Sequence, residues 1–266
     1  MIPQIQAALN SVLGNVATLR TAVGAGRAFE LFVMAGVARA LQVRGYDVWL
    51  QRSDGTRILP RDADRRFIQR GGAPTGMAGA AQGAGNASVI GFRLPHRSAW
   101  ELWNGIQFEG RSGAFHEIDL AIVAADVGIA LRGMPTGGVP LGRPRVAIEC
   151  KDVGTSGSID EMRAFIARLY DVTLLDSHHP HLPVGGAPMA IHPGSPSGPV
   201  HGSAITYWQE NRRTLNVIAR RSGFVAGAAG MTGYHSVGPH AGIVPTAVAS
   251  QALFDGVADW VLANGY

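Results

Sequence analysis

Three segments of the chain place apolar residues at helical spacing. Apolar side chains recur every three or four residues over 4–23, 27–44 and 246–263, and this spacing predicts amphipathic helices. Gly45 directly follows the second segment, and glycine commonly ends a helix. We expect this second helix to carry Glu30 on its first turn.

Other segments alternate apolar and polar residues, which predicts strands. They cover residues 46–52, 100–110, 114–124, 145–151 and 224–228. The second and third are separated by a short Arg-Ser-Gly turn at 111–113, so we expect them to form a hairpin.

Two more helices are expected in the second half of the chain. Helical spacing returns over 159–173, where Ser158 can serve as the N-cap and Glu161 can complete a capping box. A further helix is predicted near 204–221. It would carry four arginines, as a solvated face or as phosphate contacts: Arg212, Arg213, Arg220 and Arg221.

Together these elements predict one α/β domain over residues 1–266, with a central mixed β-sheet flanked by helices and a core over about 27–230. Residues 71–88 are almost all small, and residues 176–203 are dense in proline, glycine and histidine. Such compositions break helices and strands, so both segments are expected to be surface loops.

The composition is that of a globular protein, with 46% hydrophobic and 16% charged residues. We find neither a run of about 18 apolar residues nor the features of a signal peptide, so we expect no membrane span and a cytoplasmic location. Cys150, as the single cysteine, cannot form an internal disulfide. The pI near 9.7 suits a polyanionic partner, although a modest charge excess is weak evidence for one.

Alternating side chains place charged groups together on two of the predicted strands. Glu149 and Lys151 share one face of segment 145–151, and Glu117 and Asp119 share one face of segment 114–124. If these strands are neighbours, which short connections favour, carboxylates and a lysine converge. That combination suits phosphodiester hydrolysis, because carboxylates hold a divalent cation and an ammonium offsets phosphate charge.

Lys151 is the only lysine among 23 basic residues, the others being arginine. A chain with this bias keeps lysine where arginine cannot serve. The guanidinium group of arginine is wide, planar and always charged, whereas the lysine amine is compact and its pKa can shift. The position of the exception, two residues after Glu149, favours a chemical role over a solvated strand edge.

Asp119, thirty residues before Glu149-Cys150-Lys151 and between an acidic helix upstream and a helix downstream, resembles the PD-(D/E)XK nuclease superfamily. The resemblance spans about 27–173 and implies a restriction-endonuclease-like core. No proline directly precedes Asp119, which departs from the family pattern.

The resemblance implies a catalytic site of Asp119, Glu149, Lys151 and Glu30. The three carboxylates would bind magnesium (Mg2+), for which manganese (Mn2+) could substitute, and the lysine would assist the attacking water. Glu117 is a further candidate ligand, and His116, facing away in a regular strand, is a weaker one.

It also implies DNA as the partner, with RNA left open. A protein of this type could serve in host defence, repair or recombination, and restriction or antiviral defence is the leading expectation. A homodimer or a partner subunit is plausible, because cutting two strands needs two sites. Two alternatives stay open. The same fold could bind nucleic acid or protein without cutting, or paired carboxylates could hydrolyse a glycoside, a reaction that has no use for the lone lysine.

Overall fold

The computed structural model describes most of the predicted core. The described residues are 19–21, 25–52, 55–63, 67–69, 88–110, 112–133, 140–141, 144–172, 190–191 and 214–264, with isolated positions between 3 and 10. Of the two predicted loops, 71–88 lies outside these residues except for Ser88. The loop 176–203 also lies outside them, except for the two-residue strand Ala190–Ile191.

The described strands, in chain order, are β1 (Leu19–Thr21), β2 (Asp47–Gln51), β3 (Phe67–Gln69), β4 (Val89–Arg93), β5 (Trp100–Glu109), β6 (Phe115–Ala124), β7 (Pro140–Leu141), β8 (Val146–Lys151), β9 (Ala190–Ile191), β10 (Leu215–Arg220) and β11 (Val237–His240). After β1, the described helices are α1 (Ala25–Val43), α2 (Ala125–Gly133), α3 (Ile159–Asp171), α4 (Ala226–Tyr234) and α5 (Val248–Asn264).

Nine of these strands form one mixed sheet, in which seven follow the order β11-β10-β8-β6-β5-β4-β2, β7 pairs with β5, and β9 pairs with β7. The strands from β2 to β8 in this order pair antiparallel, whereas β8, β10 and β11 are parallel to one another. The α/β class with a central mixed sheet is therefore confirmed.

Helices cover both faces of this sheet. Asn104, Leu120 and Ile148 are successive cross-strand partners and so share one face. Helix α1 lies on that face, because its Glu30 is hydrogen-bonded to Asn104. Alternation places Glu149 on the opposite face, where α3 contacts it. None of the described helices is long and apolar enough to cross a membrane.

Several local predictions are confirmed. The second helix spans Ala25–Val43 and is followed by Gly45 at φ 85°. Strands β5 and β6 form the expected antiparallel hairpin. Helix α3 begins after Ser158, whose hydroxyl accepts from the Glu161 amide in a complete capping box. The C-terminal helix is also present, as Val248–Asn264.

The predicted helix at 204–221 is wrong over its described part, because Leu215–Arg220 form strand β10. Val217, Ile218 and Ala219 are all buried between β8 and β11. A strand buried on both faces has no alternating pattern, and a continuous apolar run does not distinguish it from a buried helix.

The predicted strand at 224–228 is also wrong. Phe224 makes an isolated bridge to Gly157, and helix α4 begins at Ala226. Six of its nine residues are alanine or glycine, so most of its apolar side chains are too small to mark a helical period.

The predicted helix over 4–23 is wrong at its end. Leu19–Thr21 form strand β1, parallel to Phe67–Gln69, a partner that lies far along the chain. Most of the rest of that segment lies outside the described residues. Helix α2 and strand β11 were not predicted.

Candidate active site

The sheet opens beside Asp119 and Glu149. Strands β6 and β8 pair at three positions, ending with Leu120 opposite Ile148. In this register Asp119 and Glu149 would be the next pair, but no pairing continues there. On the other side of β6, the β5 register also skips the position opposite Asp119, where Gly105 has a left-handed φ of 61°. Asp119 therefore has no cross-strand backbone partner in either β5 or β8.

The Asp119 carboxylate fills part of this gap. Its Oδ2 accepts a hydrogen bond of 2.7 Å from the backbone amide of Cys150, a group that would otherwise face the missing strand partner. Burial raises the pKa of Asp119 to about 7, with the Glu149 carboxylate as the second cause, although the Cys150 amide opposes the shift. The sequence prediction that Asp119 and Glu149 converge is met in the structure.

Glu149 is buried and holds two cations through one oxygen. Its Oε1 lies 2.5 Å from Nζ of Lys151 and 2.5 Å from Nη2 of Arg168. Its other oxygen, Oε2, is buried and has no hydrogen-bond partner among the described residues. Glu149 therefore presents one oxygen that is neutralised and one that is available to a further ligand.

Lys151 is a cation at neutral pH. Burial by itself lowers the pKa of Lys151, but the attraction of Glu149 and then Asp119 outweighs burial, and the pKa is raised. The raised pKa favours the charged ammonium form. A compact positive charge is the property that this lysine contributes.

Glu30 lies near Asp119 but on the α1 face of the sheet. Nδ2 of Asn104 donates both to Oε2 of Glu30, at 2.7 Å, and to the main-chain oxygen of Asp119, at 3.1 Å. The pKa of Glu30 is raised, chiefly because the carboxylate is buried, while the Asn104 bond opposes the shift. The helix begins at Ala25, so Glu30 is in the second turn and not, as predicted, in the first.

Glu117 is paired with arginines. Its Oε1 lies 4.0 Å from Nη1 of Arg27, and its main-chain oxygen accepts a bond of 3.1 Å from Nη1 of Arg168. His116 points elsewhere, since its Nε2 lies 2.5 Å from Oδ2 of Asp171 at the end of α3. The structure thus places Glu117 at the edge of the candidate site and His116 outside it.

Sequence reasoning missed Arg168 and Asn104. Both reach the carboxylates from segments that are remote in sequence, α3 and β5, so spacing along the chain carries no signal for them. A basic residue in the last turn of a helix, as Arg168 is, usually serves the helix dipole. Because α3 packs on the sheet, the guanidinium group of Arg168 contacts Glu149 instead.

The carboxylates of Asp119 and Glu149 are the candidate ligands for magnesium. Asp119 and Glu149 offer the oxygen ligands that hard divalent cations prefer, and Oε2 of Glu149 is buried without a partner among the described residues. Within the described ranges, no group of three or more His, Cys, Asp or Glu side chains is arranged to hold a metal ion. Two carboxylates can suffice for magnesium, which keeps several of its waters, so the set fits a cation held by Asp119 and Glu149.

Other residues that the sequence singled out have structural roles or lie outside the described ranges. Trp100 and Trp103 are buried in the core. Arg220 is not on a solvated helix as predicted: it is fully buried at the end of β10 and paired with Glu161. Arg212 and Arg213 lie outside the described residues.

Comparison with known proteins identifies no relative. No protein-family model, no curated protein and no solved structure matches the chain.

Proposed function

We propose that this protein is a metal-dependent endonuclease that hydrolyses phosphodiester bonds of DNA. The observation that carries the proposal is the meeting of Asp119, Glu149 and the only lysine of the chain where the sheet opens. The resemblance to PD-(D/E)XK nucleases supports DNA as the substrate and implies a restriction-endonuclease-like core, and the α/β fold with a central mixed sheet is compatible with such a core.

The carboxylates hold the cation in this proposal. Asp119 and Glu149 would hold it through their oxygens, and Glu30 would contribute negative charge from the other face of the sheet. The bound cation supplies charge neutralisation for the phosphate and lowers the pKa of a water ligand. Burial and repulsion from Glu149 raise the pKa of Asp119, so the charged form of Asp119 would be favoured by a cation held at these carboxylates.

Lys151 acts on the phosphate and the attacking water. Its ammonium is held by Oε1 of Glu149 at 2.5 Å, so its position is set by the same residue that holds the cation. From there it offsets negative charge that develops in the transition state and orients the attacking water. The water oxygen forms a bond to phosphorus and gives up one proton to solvent, the bond to the departing oxygen breaks, and that oxygen takes a proton from solvent.

Supercoiled plasmid tests the proposal. Purified protein is incubated with plasmid and Mg2+, Mn2+ or EDTA, and nicked and linear forms are separated on a gel. We expect cutting with either metal, none in EDTA, and none with Asp119→Asn or Glu149→Gln. The matched control is Asp160→Asn, which removes a carboxylate that is 86% exposed on α3 and should cut like the wild type.

A binding module of the same fold is the second candidate. It is favoured by the bonds from Lys151 and Arg168 to Glu149, because these pairs also stabilise a carboxylate that never holds a metal. Retention of DNA on a filter without cutting in any metal would select this candidate and reject the nuclease.

A further inference from the structure

Three cations surround the carboxylates, and each comes from a different element. Arg27 of α1 lies 3.5 Å from Glu30 and 4.0 Å from Glu117. Lys151 of β8 and Arg168 of α3 both bind Glu149. Their side chains remain 34%, 31% and 27% exposed, respectively.

This exposure separates them from the structural arginines of the same chain. Arg220, which pairs with Glu161, is 0% exposed, and Arg145 is 2% exposed. Those two guanidinium groups are sealed in the core, so no ligand in solution can reach them. Arg27 and Arg168 hold carboxylates while remaining open to solvent, and so can exchange those carboxylates for another anion.

A count of charges indicates when that exchange happens. When all are ionised, the four carboxylates of Glu30, Glu117, Asp119 and Glu149 outnumber the three cations, leaving one net negative charge. A divalent cation changes this to one net positive charge. The arginines are then no longer needed by the carboxylates, and their planar groups suit phosphate, which they bind through two parallel bonds.

We propose that Arg27 and Arg168 bind backbone phosphates on either side of the bond that is cut, so that the site accepts an internal stretch of a nucleic-acid strand. Both arginines adjoin Glu117, one at its carboxylate and the other at its main-chain oxygen. They approach the same point of β6 from α1 and α3. This inference rests on the proposed nuclease function and adds to it the residues that hold the substrate strand.

The test measures binding in EDTA, where no cutting occurs. The parent is the double variant Asp119→Asn/Glu149→Gln, which has the net charge that a divalent cation would confer and retains hydrogen-bond acceptors at both positions. Affinity for a fluorescein-labelled DNA duplex of about 20 base pairs is measured by anisotropy over a range of salt concentrations, because the salt dependence counts the phosphates contacted.

Arg27→Gln and Arg168→Gln are then added to the parent one at a time. Each is expected to reduce the slope of log affinity against log salt by about one. The matched control is Arg163→Gln, on α3 like Arg168 but 65% exposed and paired with Asp160, and it should leave the slope unchanged. Arg168→Lys, which keeps the positive charge at this position, should retain the slope.

A slope for Arg27→Gln or Arg168→Gln equal to that of Arg163→Gln overturns the assignment of that arginine. Loss of slope in Arg168→Lys also overturns it, because the effect would then come from altered packing and not from lost charge. If the wild type does not cut plasmid and the parent does not bind duplex, the proposed function fails. If the wild type cuts and only the slopes are unchanged, this inference fails alone.

Discussion

Asp119→Asn is expected to stabilise the protein when no divalent cation is present. Asn has nearly the same shape as Asp, and its side-chain oxygen can accept the bond from the Cys150 amide. The change removes a buried negative charge that faces Glu149. Replacing a catalytic carboxylate usually costs activity, so a gain in stability is a specific signature of a strained site.

The magnitude follows from the pKa. Burial and Glu149 raise the pKa of Asp119 from its ordinary value of 3.8 to about 7. The folded protein therefore binds this proton more tightly than the unfolded chain does. The stability that the proton contributes is fully present below about pH 4 and is lost as pH rises through about 7. Each pKa unit is worth about 1.4 kcal/mol, so the loss reaches about 4 kcal/mol, or about 2 kcal/mol if the folded site relaxes.

Urea unfolding in EDTA, followed by tryptophan fluorescence, measures this effect between about pH 3.5 and about pH 8.5. The free energy of unfolding of Asp119→Asn should match that of the wild type at the acid end and exceed it by about 2 to 4 kcal/mol at the alkaline end. Asp160→Asn, at an exposed carboxylate, should differ from the wild type by less than about 0.5 kcal/mol throughout. Parallel curves for Asp119→Asn and the wild type would refute the reasoning, because Asp119 would then carry no strain.

The remaining predictions concern activity and packing. Lys151→Arg should slow plasmid nicking by at least about 10²-fold while duplex affinity stays nearly constant, because the wider guanidinium displaces the attacking water or the metal. A nicking rate close to wild type would mean that Lys151 is only a solvated strand residue. Glu30→Gln, which can still accept the bond from Asn104, should raise the Mg2+ concentration needed for half-maximal nicking, and an unchanged Mg2+ titration would remove Glu30 from the metal site. Arg220→Gln should lower the free energy of unfolding in urea by about 3 kcal/mol, because it leaves a carboxylate without its buried partner. Gly105→Ala should lower the same quantity by about 1 to 2 kcal/mol, since its φ of 61° disfavours any side chain; no loss would show that the strand can relax there.

Local pattern was sufficient to predict the elements that carry Asp119, Glu149 and Lys151, the candidate catalytic residues. The β5–β6 hairpin, strand β8 and the capped start of α3 all lie within about one or two residues of their predicted bounds. Alternation along β8 placed Glu149 and Lys151 on one face, and the structure brings Nζ of Lys151 to 2.5 Å from Glu149. These signals are local because they depend on the geometry of a single strand or helix turn.

Contacts between segments that are distant in the chain could not be predicted from the sequence. Strand β10 was mistaken for a helix because its identity depends on lying between β8 and β11. The place of Arg168 on Glu149 depends on how α3 packs over the sheet, and a helix alone does not indicate which distant side chain it will meet.

The sequence by itself determined which residues could perform the chemistry, through the lone lysine and the carboxylates two residues before it and thirty residues further upstream. Only the tertiary structure decided their electrostatic state. Burial and then the Glu149 carboxylate raise the pKa of Asp119, whereas Glu149 and then Asp119 raise the pKa of Lys151 against the effect of burial. Those causes exist only after segments distant in the chain have excluded water together, because the energy of a charge depends on its surroundings in space and not on its neighbours in sequence.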